Sequence, residues 1–379
     1  MKRHYRRYGI VLATGTAVIF LAAAFRPPHA ARRNPTPYTL SYPAYFGNRI
    51  NTTDDNPLTN EGVSLGRHLF YEKRLSANNS ISCGSCHQQA HAFTDGRAFS
   101  PGFDGVFTKR SAMSLCNLLW VRHFFWDGRA ASPEEQVVTP LTDAHEMGQS
   151  LDSSARKLRA IHSYAPLFTA AFGSDSITPD RIVRAIAQFE RTLISAQSPY
   201  DRYIRGEYQP TVTEQRGLVL FYTNPDRNRG IRGAGCGNCH SGPKVFNETY
   251  HNNGLDSIPT DPGRADVTGM DYDRGRFRVV TLRNIALTAP YMHDGRFATL
   301  QAVIDHYSDH ILPSLTLSPS LKDTANRPVN VQLTPEEKAD LLAFLRMLTD
   351  SSFITDPRFS DPFADAGHHT KTDHHIISE

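Results

Sequence analysis

The sequence has few cysteines and almost no net charge, and each shortage excludes a class of protein. It contains five cysteines in 379 residues, and an odd number argues against a disulfide framework. The formal net charge of +3, without a basic stripe, gives no electrostatic support for nucleic-acid binding. The remaining composition, with 39% hydrophobic and 21% charged residues, is typical of a soluble globular protein, and the length suffices for two domains.

The apolar run near the N-terminus, Ile10–Phe25, is too short for a bilayer-spanning helix, which needs about 20 residues. Four basic residues precede it: Lys2, Arg3, Arg6 and Arg7. A basic segment followed by a short apolar run is typical of a secretory signal. We therefore expect residues 1–30 to be a signal peptide of an exported protein. A retained N-terminal membrane anchor is the alternative, because the sequence has no clear A-x-A cleavage site.

Four of the five cysteines belong to two C-x-x-C-H motifs. The motif residues are Cys83, Cys86 and His87 in the first, and Cys236, Cys239 and His240 in the second. This spacing lets two thiols add to the vinyl groups of one haem and makes the adjacent histidine the proximal iron ligand. A disulfide, a zinc site or a redox pair could each explain one such motif, but two in an exported chain favour two covalent haems. Cys116 is left over, and we expect a buried structural thiol there.

Each haem motif is followed by the same short pattern. Asn117 in the first copy and Asn284 in the second stand at the same distance before a D-G-R sequence. Such an internal repeat indicates two homologous units. We predict an N-terminal haem domain over residues 45–205 and a C-terminal haem domain over residues 206–355. Residues 356–379 are poor in apolar side chains and are predicted to be a disordered, His-rich tail.

The periodicity of the apolar residues predicts a mainly helical fold with little sheet. Helical spacing recurs over Ser154–Phe168 and Pro179–Gln197. Two further helices, Thr211–Tyr222 and Thr334–Leu348, begin with residues typical of a helix start.

Beyond the two haem motifs, three segments of the chain resemble the bacterial di-haem cytochrome c peroxidases and their relative MauG. They read F-F-W-D-G-R, H-E-M-G and T-L-R-N-I-A-L-T-A-P-Y-M-H-D-G-R. The resemblance covers roughly residues 45–350 and implies a fold of two cytochrome c-like haem domains. It also implies a peroxidatic first haem with His87 as proximal ligand and an electron-transferring second haem with His240.

The resemblance further implies an activity and its partners. The reaction would be the reduction of hydrogen peroxide to water in the periplasm, with electrons entering at the second haem. The electron donor would be a small c-type cytochrome or a copper protein. Members of the family are often dimers, so a homodimer is consistent with the resemblance.

Three residues match positions around the first haem of the family. Glu146 matches its distal catalytic glutamate and Gln136 a distal glutamine that borders the same pocket. A carboxylate there would carry a proton from one oxygen of peroxide to the other. Trp126 matches a tryptophan between the two haems. Without the resemblance, a surface residue would be the favoured interpretation of Glu146. Trp126 could be a core aromatic residue as well as a residue between the haems.

Tyr307 matches the distal ligand of the second haem, which is methionine in the peroxidases and tyrosine in MauG. The repeat offers a check, because the equivalent residue of the first copy is Pro140, and proline cannot bind iron. We therefore predict a ligated second haem and an open first haem. His306 is a rival ligand, and an ordinary buried tyrosine is the alternative for Tyr307. Phe103 stands where many of these peroxidases have a distal histidine, so no reductive opening step is expected.

The family also holds a calcium ion between its haems. Thr288 and Pro290 match the residues whose backbone carbonyls bind this ion, and Ser111 replaces an asparagine. Calcium accepts varied oxygen ligands, so we expect one calcium ion with altered affinity.

Two rival functions remain open. One is a MauG-like oxidase acting on a protein or a small organic substrate. MauG acts through a surface tryptophan just before its second haem motif; the matching residue here is Ala234, and the chain has only two tryptophans. The same route is therefore not expected. The other rival is an electron-transfer cytochrome with both irons closed, against which Glu146, Gln136 and Pro140 argue.

Overall fold

A computed structural model describes Met1, residues 34–226 and residues 228–364. The predicted signal or anchor segment lies outside the described residues apart from Met1, and so do the histidines of the predicted tail. Within the described part, no helix is both long enough and apolar enough to cross a bilayer.

The chain is mainly helical, as predicted. The helices of the first half are α1 (Asn60–Tyr71), α2 (Cys83–Cys86), α3 (Pro133–Thr142), α4 (Leu151–Arg159), α5 (Tyr164–Phe172), α6 (Pro179–Glu190) and α7 (Pro199–Ile204). Those of the second half are α8 (Val212–Tyr222), α9 (Ala265–Thr268), α10 (Leu300–Asp309), α11 (Pro335–Met347) and α12 (Ser351–Thr355). The described sheet consists of β1 (Tyr250–His251) paired antiparallel with β2 (Phe277–Arg278), with Tyr250 opposite Arg278.

Hydroxyl side chains start the predicted helices. Thr211 and Thr334 each accept a hydrogen bond from the backbone N–H of the glutamate three residues later, which completes a capping box at the start of α8 and of α11. The predicted helix Ser154–Phe168 was wrong in extent, because α4 ends at Arg159 and α5 begins at Tyr164. Pro166 lies in the first turn of α5, where a missing N–H costs no helical hydrogen bond.

Two helix pairs form the framework that carries the haem motifs. A glycine lets the helices of each pair approach closely: a Cβ on Gly66 of α1 would lie 1.9 Å from the carbonyl oxygen of Ala185 in α6. A Cβ on Gly217 of α8 would lie equally close, 1.9 Å, to the carbonyl oxygen of Asp340 in α11. The last residue of α1 and that of α8 are tyrosines, and each packs on the glycine of the following C-G-x-C-H motif.

Two hydrophobic clusters lie around these pairs. The first is built mainly from residues before 200 and includes Phe70, Phe93 and Phe189. The second is built from residues after 199 and includes Phe221 and Phe344.

Ordered structure continues into the segment predicted to be a disordered tail, as far as Ala364. Phe359 is only 3% exposed, and its carbonyl accepts a hydrogen bond from the hydroxyl of Tyr71 at 2.7 Å. Arg67 of α1 donates to the carbonyl of Ser360 at 2.6 Å. Burial of one aromatic ring and two hydrogen bonds to α1 explain why this part of the segment is ordered.

Candidate haem sites

A cavity of about 310 Å³ lies beside the second C-x-x-C-H motif. It is lined by Cys236, Cys239, His240 and Tyr307. Tyr307 follows Cys236 by 71 positions in the sequence, so the fold brings it to the motif. Much of the remaining wall is aliphatic and comes from α10, α11 and the loop before α10: Leu282, Ile285, Leu300, Val303, Ile304, Leu341 and Leu345. An apolar cavity of this size with a few convergent polar groups is typical of a cofactor site.

The polar groups of this cavity fit a c-type haem. Burial lowers the pKa of His240 to about 4, so its imidazole is neutral at pH 7, which is the form that binds iron. Tyr307 reaches the cavity from α10, and burial raises the pKa of its hydroxyl to about 12. The two thiols needed for covalent attachment stand beside the histidine. The residues present therefore match what the group requires: two thiols, a neutral proximal imidazole and an oxygen donor.

The rival ligand His306 has another partner. Its Nε2 lies 3.0 Å from the carbonyl oxygen of Asn253, and the residue is 4% exposed. It is not among the residues that line the cavity. The geometry therefore favours Tyr307 over His306.

The first motif lies on the short helix α2, and His87 follows it directly. The Nδ1 atom of His87 lies 2.8 Å from the carbonyl oxygen of Phe93, which leaves Nε2 for a metal. Burial lowers the pKa of His87, so this imidazole is also neutral at pH 7. The reverse turn that returns Phe93 to the histidine has two residues with positive φ, Ala92 at 50° and Phe93 at 63°.

Glu146 lies in the turn that follows α3. Burial raises the pKa of its carboxyl, and the neighbouring Asp143 raises it further. Burial raises the pKa of the Cys83 and Cys86 thiols, and the charge of Glu146 adds to both shifts. The carboxylate therefore lies within electrostatic reach of the first motif.

On α3 itself, Oε1 of Gln136 is buried and has no hydrogen-bond partner in the described part of the chain. Such an atom is rare in proteins, and it is able to accept a hydrogen bond from a bound group.

Phe103 helps to fix the turn of Glu146. Its backbone N–H donates to the carbonyl of Glu146 at 2.8 Å. Its ring packs against Gly148, where a Cβ would lie 2.1 Å from Cε1 of the ring. The phenylalanine that replaces a distal histidine is thus part of the support of the glutamate.

Trp126 is fixed by hydrogen bonds to a residue of each half of the chain. Its indole N–H donates to the carbonyl of Ser111 at 2.9 Å. Its own carbonyl accepts from the backbone N–H of Arg278 at 2.7 Å. Trp126 also lines the cavity of the second motif, so its ring lies at the edge of that site.

The three residues predicted to bind calcium, Ser111, Thr288 and Pro290, line the cavity of the second motif. The hydroxyl of Ser111 donates to the carbonyl of Met292 at 3.0 Å, which leaves its lone pairs available to a cation. These are neutral oxygen donors, and calcium accepts such ligands.

Pro140 and Tyr307 lie on helices that start in the same way. Ser132 before α3 and Thr299 before α10 each accept from the backbone N–H three residues on. Pro140 occupies the interior of α3, where it offers no donor atom. Tyr307 lines the cavity of the second motif and carries a hydroxyl oxygen.

Two residues of the second site have no signal that sequence reasoning could use. Asn253 contacts Tyr307, and it follows another asparagine and precedes a glycine, which reads as an ordinary turn. Arg278 lines the cavity and is 6% exposed. Its Nε donates to the carbonyl of Phe125 at 3.2 Å. Only the folded chain brings either residue to the site.

Known proteins with similar sequences include MauG proteins and cytochrome c peroxidases. The model of the di-haem cytochrome c peroxidases matches residues 60–209. MauG of Methylophilus methylotrophus is 35% identical over 294 residues, which cover 77% of this chain and 84% of that protein. Cytochrome c551 peroxidase of Nitrosomonas europaea is 34% identical over 76% of this chain and 79% of that protein.

A solved structure extends this likeness to the fold. It is the crystal structure of a MauG-like protein associated with microbial copper homeostasis, which is 38% identical and has a TM-score of 0.79. The match covers 86% of this chain and 99% of that one. With two haem motifs on a helical framework and this degree of likeness, the chain belongs to the di-haem cytochrome c peroxidase family, whose members are oxidoreductases with two c-type haems.

Proposed function

We propose that this protein reduces hydrogen peroxide to water at an open first haem and receives the electrons at its second haem. The observation that carries the proposal is the difference between α3 and α10. Tyr307 of α10 offers an oxygen to the second site, whereas Pro140 of α3 offers no donor atom. An iron with an open position is what a peroxidase requires and an electron carrier does not.

The proposal assigns each haem to one set of residues. Cys83, Cys86 and His87 would hold the first, and Cys236, Cys239, His240 and Tyr307 would hold the second. The haems, when bound, supply the redox chemistry of peroxide reduction. Residues 45–205 and 206–355 would form the two haem domains, which the division into two hydrophobic clusters supports.

Glu146 would move the proton. Burial raises the pKa of its carboxyl toward the working pH. A group whose pKa lies near the working pH can both accept and donate a proton efficiently. Its carboxylate oxygen would take the proton from one oxygen of peroxide and return it to the other. Gln136 would accept a hydrogen bond from peroxide at its unpaired Oε1. Trp126, held between Ser111 and Arg278, would lie on the electron path between the two sites.

The remaining partners follow the family. We propose export to the periplasm, a small c-type cytochrome or a copper protein as electron donor, and a homodimer. One calcium ion would bind the carbonyls of Thr288 and Pro290 and the hydroxyl oxygen of Ser111.

A MauG-like oxidase is the second candidate. The identity to MauG and the tyrosine at position 307 favour it. Against the MauG route stands Ala234, which occupies the position that matches the surface tryptophan of MauG. A small organic substrate would need no such tryptophan.

The experiment is electron paramagnetic resonance and visible spectroscopy of the ferric holoprotein, before and after one equivalent of peroxide. We expect one high-spin and one low-spin haem and an immediate reaction. Turnover with reduced cytochrome c then separates the peroxidase from the oxidase, because only the peroxidase consumes the donor in proportion to peroxide. Two low-spin haems that stay inert to peroxide after partial reduction would leave an electron carrier.

A further inference from the structure

Asn253 makes two hydrogen bonds to consecutive residues of α10. Its side-chain Nδ2 donates to the hydroxyl oxygen of Tyr307 at 3.1 Å. Its backbone carbonyl lies 3.0 Å from Nε2 of His306. One residue therefore fixes both the phenol that faces the cavity and the imidazole that does not.

The backbone around Asn253 is itself held in place. Asn252 is 2% exposed, and its side chain donates to the hydroxyls of Ser314 at 3.1 Å and Thr316 at 2.8 Å. Its Oδ1 accepts from the N–H of Gly254 at 2.9 Å. These bonds fix the turn, so the amide of Asn253 approaches Tyr307 from a rigid support.

The same amide has a second neighbour in the cavity. Nδ2 of Asn253 lies 3.4 Å from Sδ of Met292, and Met292 also lines the site. The amide thus stands between the Tyr307 oxygen and the Met292 sulfur, and both kinds of atom can bind iron. Its two hydrogens can serve both at once, but the oxygen is the stronger acceptor.

From this geometry we propose that Asn253 is a positioning residue of the second haem: its amide holds the Tyr307 oxygen toward the cavity and sets the reduction potential of that haem. The inference rests on the proposed function for the assignment of Tyr307 as ligand. A hydrogen bond to a ligand oxygen draws electron density away from the metal. Weaker donation favours the ferric state less, so the bond raises the reduction potential.

The test is a spectroelectrochemical titration of the full-length holoprotein without peroxide. Asn253→Leu removes the donor at similar volume, and Asn253→Asp removes it without changing the shape of the side chain. Outer-shell partners typically change metal affinity 10- to 100-fold. A tenfold change in favour of the ferric state lowers a one-electron potential by about 59 mV, and we expect a fall of this order for the low-spin haem in both variants. The first haem should keep its potential.

Two controls separate tuning from general disruption. Asn247→Leu removes a half-buried amide that bonds the backbone of the second haem motif at 3.4 Å, and it should leave the potential unchanged. In a Tyr307→Phe background, Asn253→Leu should cause no further shift, because the oxygen that it acts on is gone. A shift that persists in this background, an unchanged potential, or a rise in potential would overturn the proposal.

Failure of the proposed function gives a different result. If Tyr307→Phe leaves the low-spin spectrum unchanged, Tyr307 is not the ligand and the proposal for Asn253 falls, whereas the peroxidase assignment is still decided by the reaction with peroxide. If Tyr307→Phe changes the spectrum but the protein ignores peroxide, only the peroxidase assignment falls, and the effect of Asn253 on the potential stands.

Discussion

The two halves of this chain support their haem motifs with similar helix pairs, but they differ between α3 and α10. Each half packs a helix pair through a glycine, Gly66 or Gly217, against a backbone carbonyl. Each places a tyrosine on the glycine of its haem motif. Yet α3 has Pro140 in its interior where α10 has Tyr307 facing the cavity.

This difference teaches how one framework can support two kinds of iron site. In the proposed assignment the framework would fix the proximal histidine, and α3 or α10 would decide whether the iron has a second ligand. Pro140 would leave the first iron open, and the turn after α3 would supply Glu146. In the second half Tyr307 would be the ligand, and the amide of Asn253 donates to its hydroxyl oxygen.

The largest effect is expected at the acid–base residue of the first half. Glu146→Gln keeps the volume but cannot take a proton, so we expect the rate of the reaction with peroxide to fall about 10²- to 10⁴-fold. Stopped-flow spectroscopy of the ferric protein measures this rate. Glu336→Gln, at an exposed position in the first turn of α11, is the control and should react like the parent. A normal rate in Glu146→Gln would remove the acid–base role.

The pH dependence of the same reaction follows from the direction of the pKa shift. The proton-accepting form of Glu146 is the carboxylate, and burial raises the pKa of this group. As pH falls, the reactive form is lost through the raised pKa, so the decline begins at a higher pH than for an ordinary glutamate. In Glu146→Gln this limb of the profile should be absent.

The next effect concerns the ligand of the second half. Tyr307→Phe removes the proposed oxygen ligand and should convert the low-spin ferric signal to high spin, because the phenylalanine ring has no atom that binds iron. Electron paramagnetic resonance checks the change. Tyr291→Phe is the matched control, since Tyr291 lines the same cavity but its hydroxyl donates to the carbonyl of Ile285 at 3.0 Å. An unchanged spectrum in Tyr307→Phe would transfer the ligand role to another side chain.

How much of the fold and of the candidate site could be predicted depends on whether the sequence signal lies within a few neighbouring residues. Capping residues such as Thr211 and Thr334 act within one turn, so the helices that they start were predicted correctly. The C-x-x-C-H spacing is equally local. The extent of the helix from Ser154 was wrong, because tertiary packing and a turn at residues 160–163 divide a segment whose apolar periodicity looks continuous.

The rest depends on contacts that no short pattern records. Asn253 and Tyr307 are 54 residues apart in the chain, and an asparagine before a glycine reads as a turn. The burial of Arg278 and the ordered contact of Phe359 with α1 likewise arise only when distant segments meet. The family resemblance named the candidate reacting residues, whereas the residues that contact them could be found only in the folded chain.

The smallest effect tests whether the two helix pairs really are equivalent supports. Ala at position 66 would bring a Cβ to 1.9 Å from the carbonyl of Ala185, and Ala at position 217 would meet the carbonyl of Asp340 at 1.9 Å. A backbone group cannot rotate away, so each helix pair must separate. We expect Gly66→Ala and Gly217→Ala each to lower the free energy of unfolding by about 1–3 kcal/mol, as measured by urea denaturation of the holoprotein. Gln215→Ala, at an exposed position of α8, is the control, because alanine there should not destabilise the helix.

Equal losses of unfolding free energy at the two glycines would show that both halves rest on the same kind of helix pair and differ in Pro140 and Tyr307. A loss at only one glycine would mean that the halves differ in their framework too, and the contrast between Pro140 and Tyr307 could then not be assigned to those side chains alone.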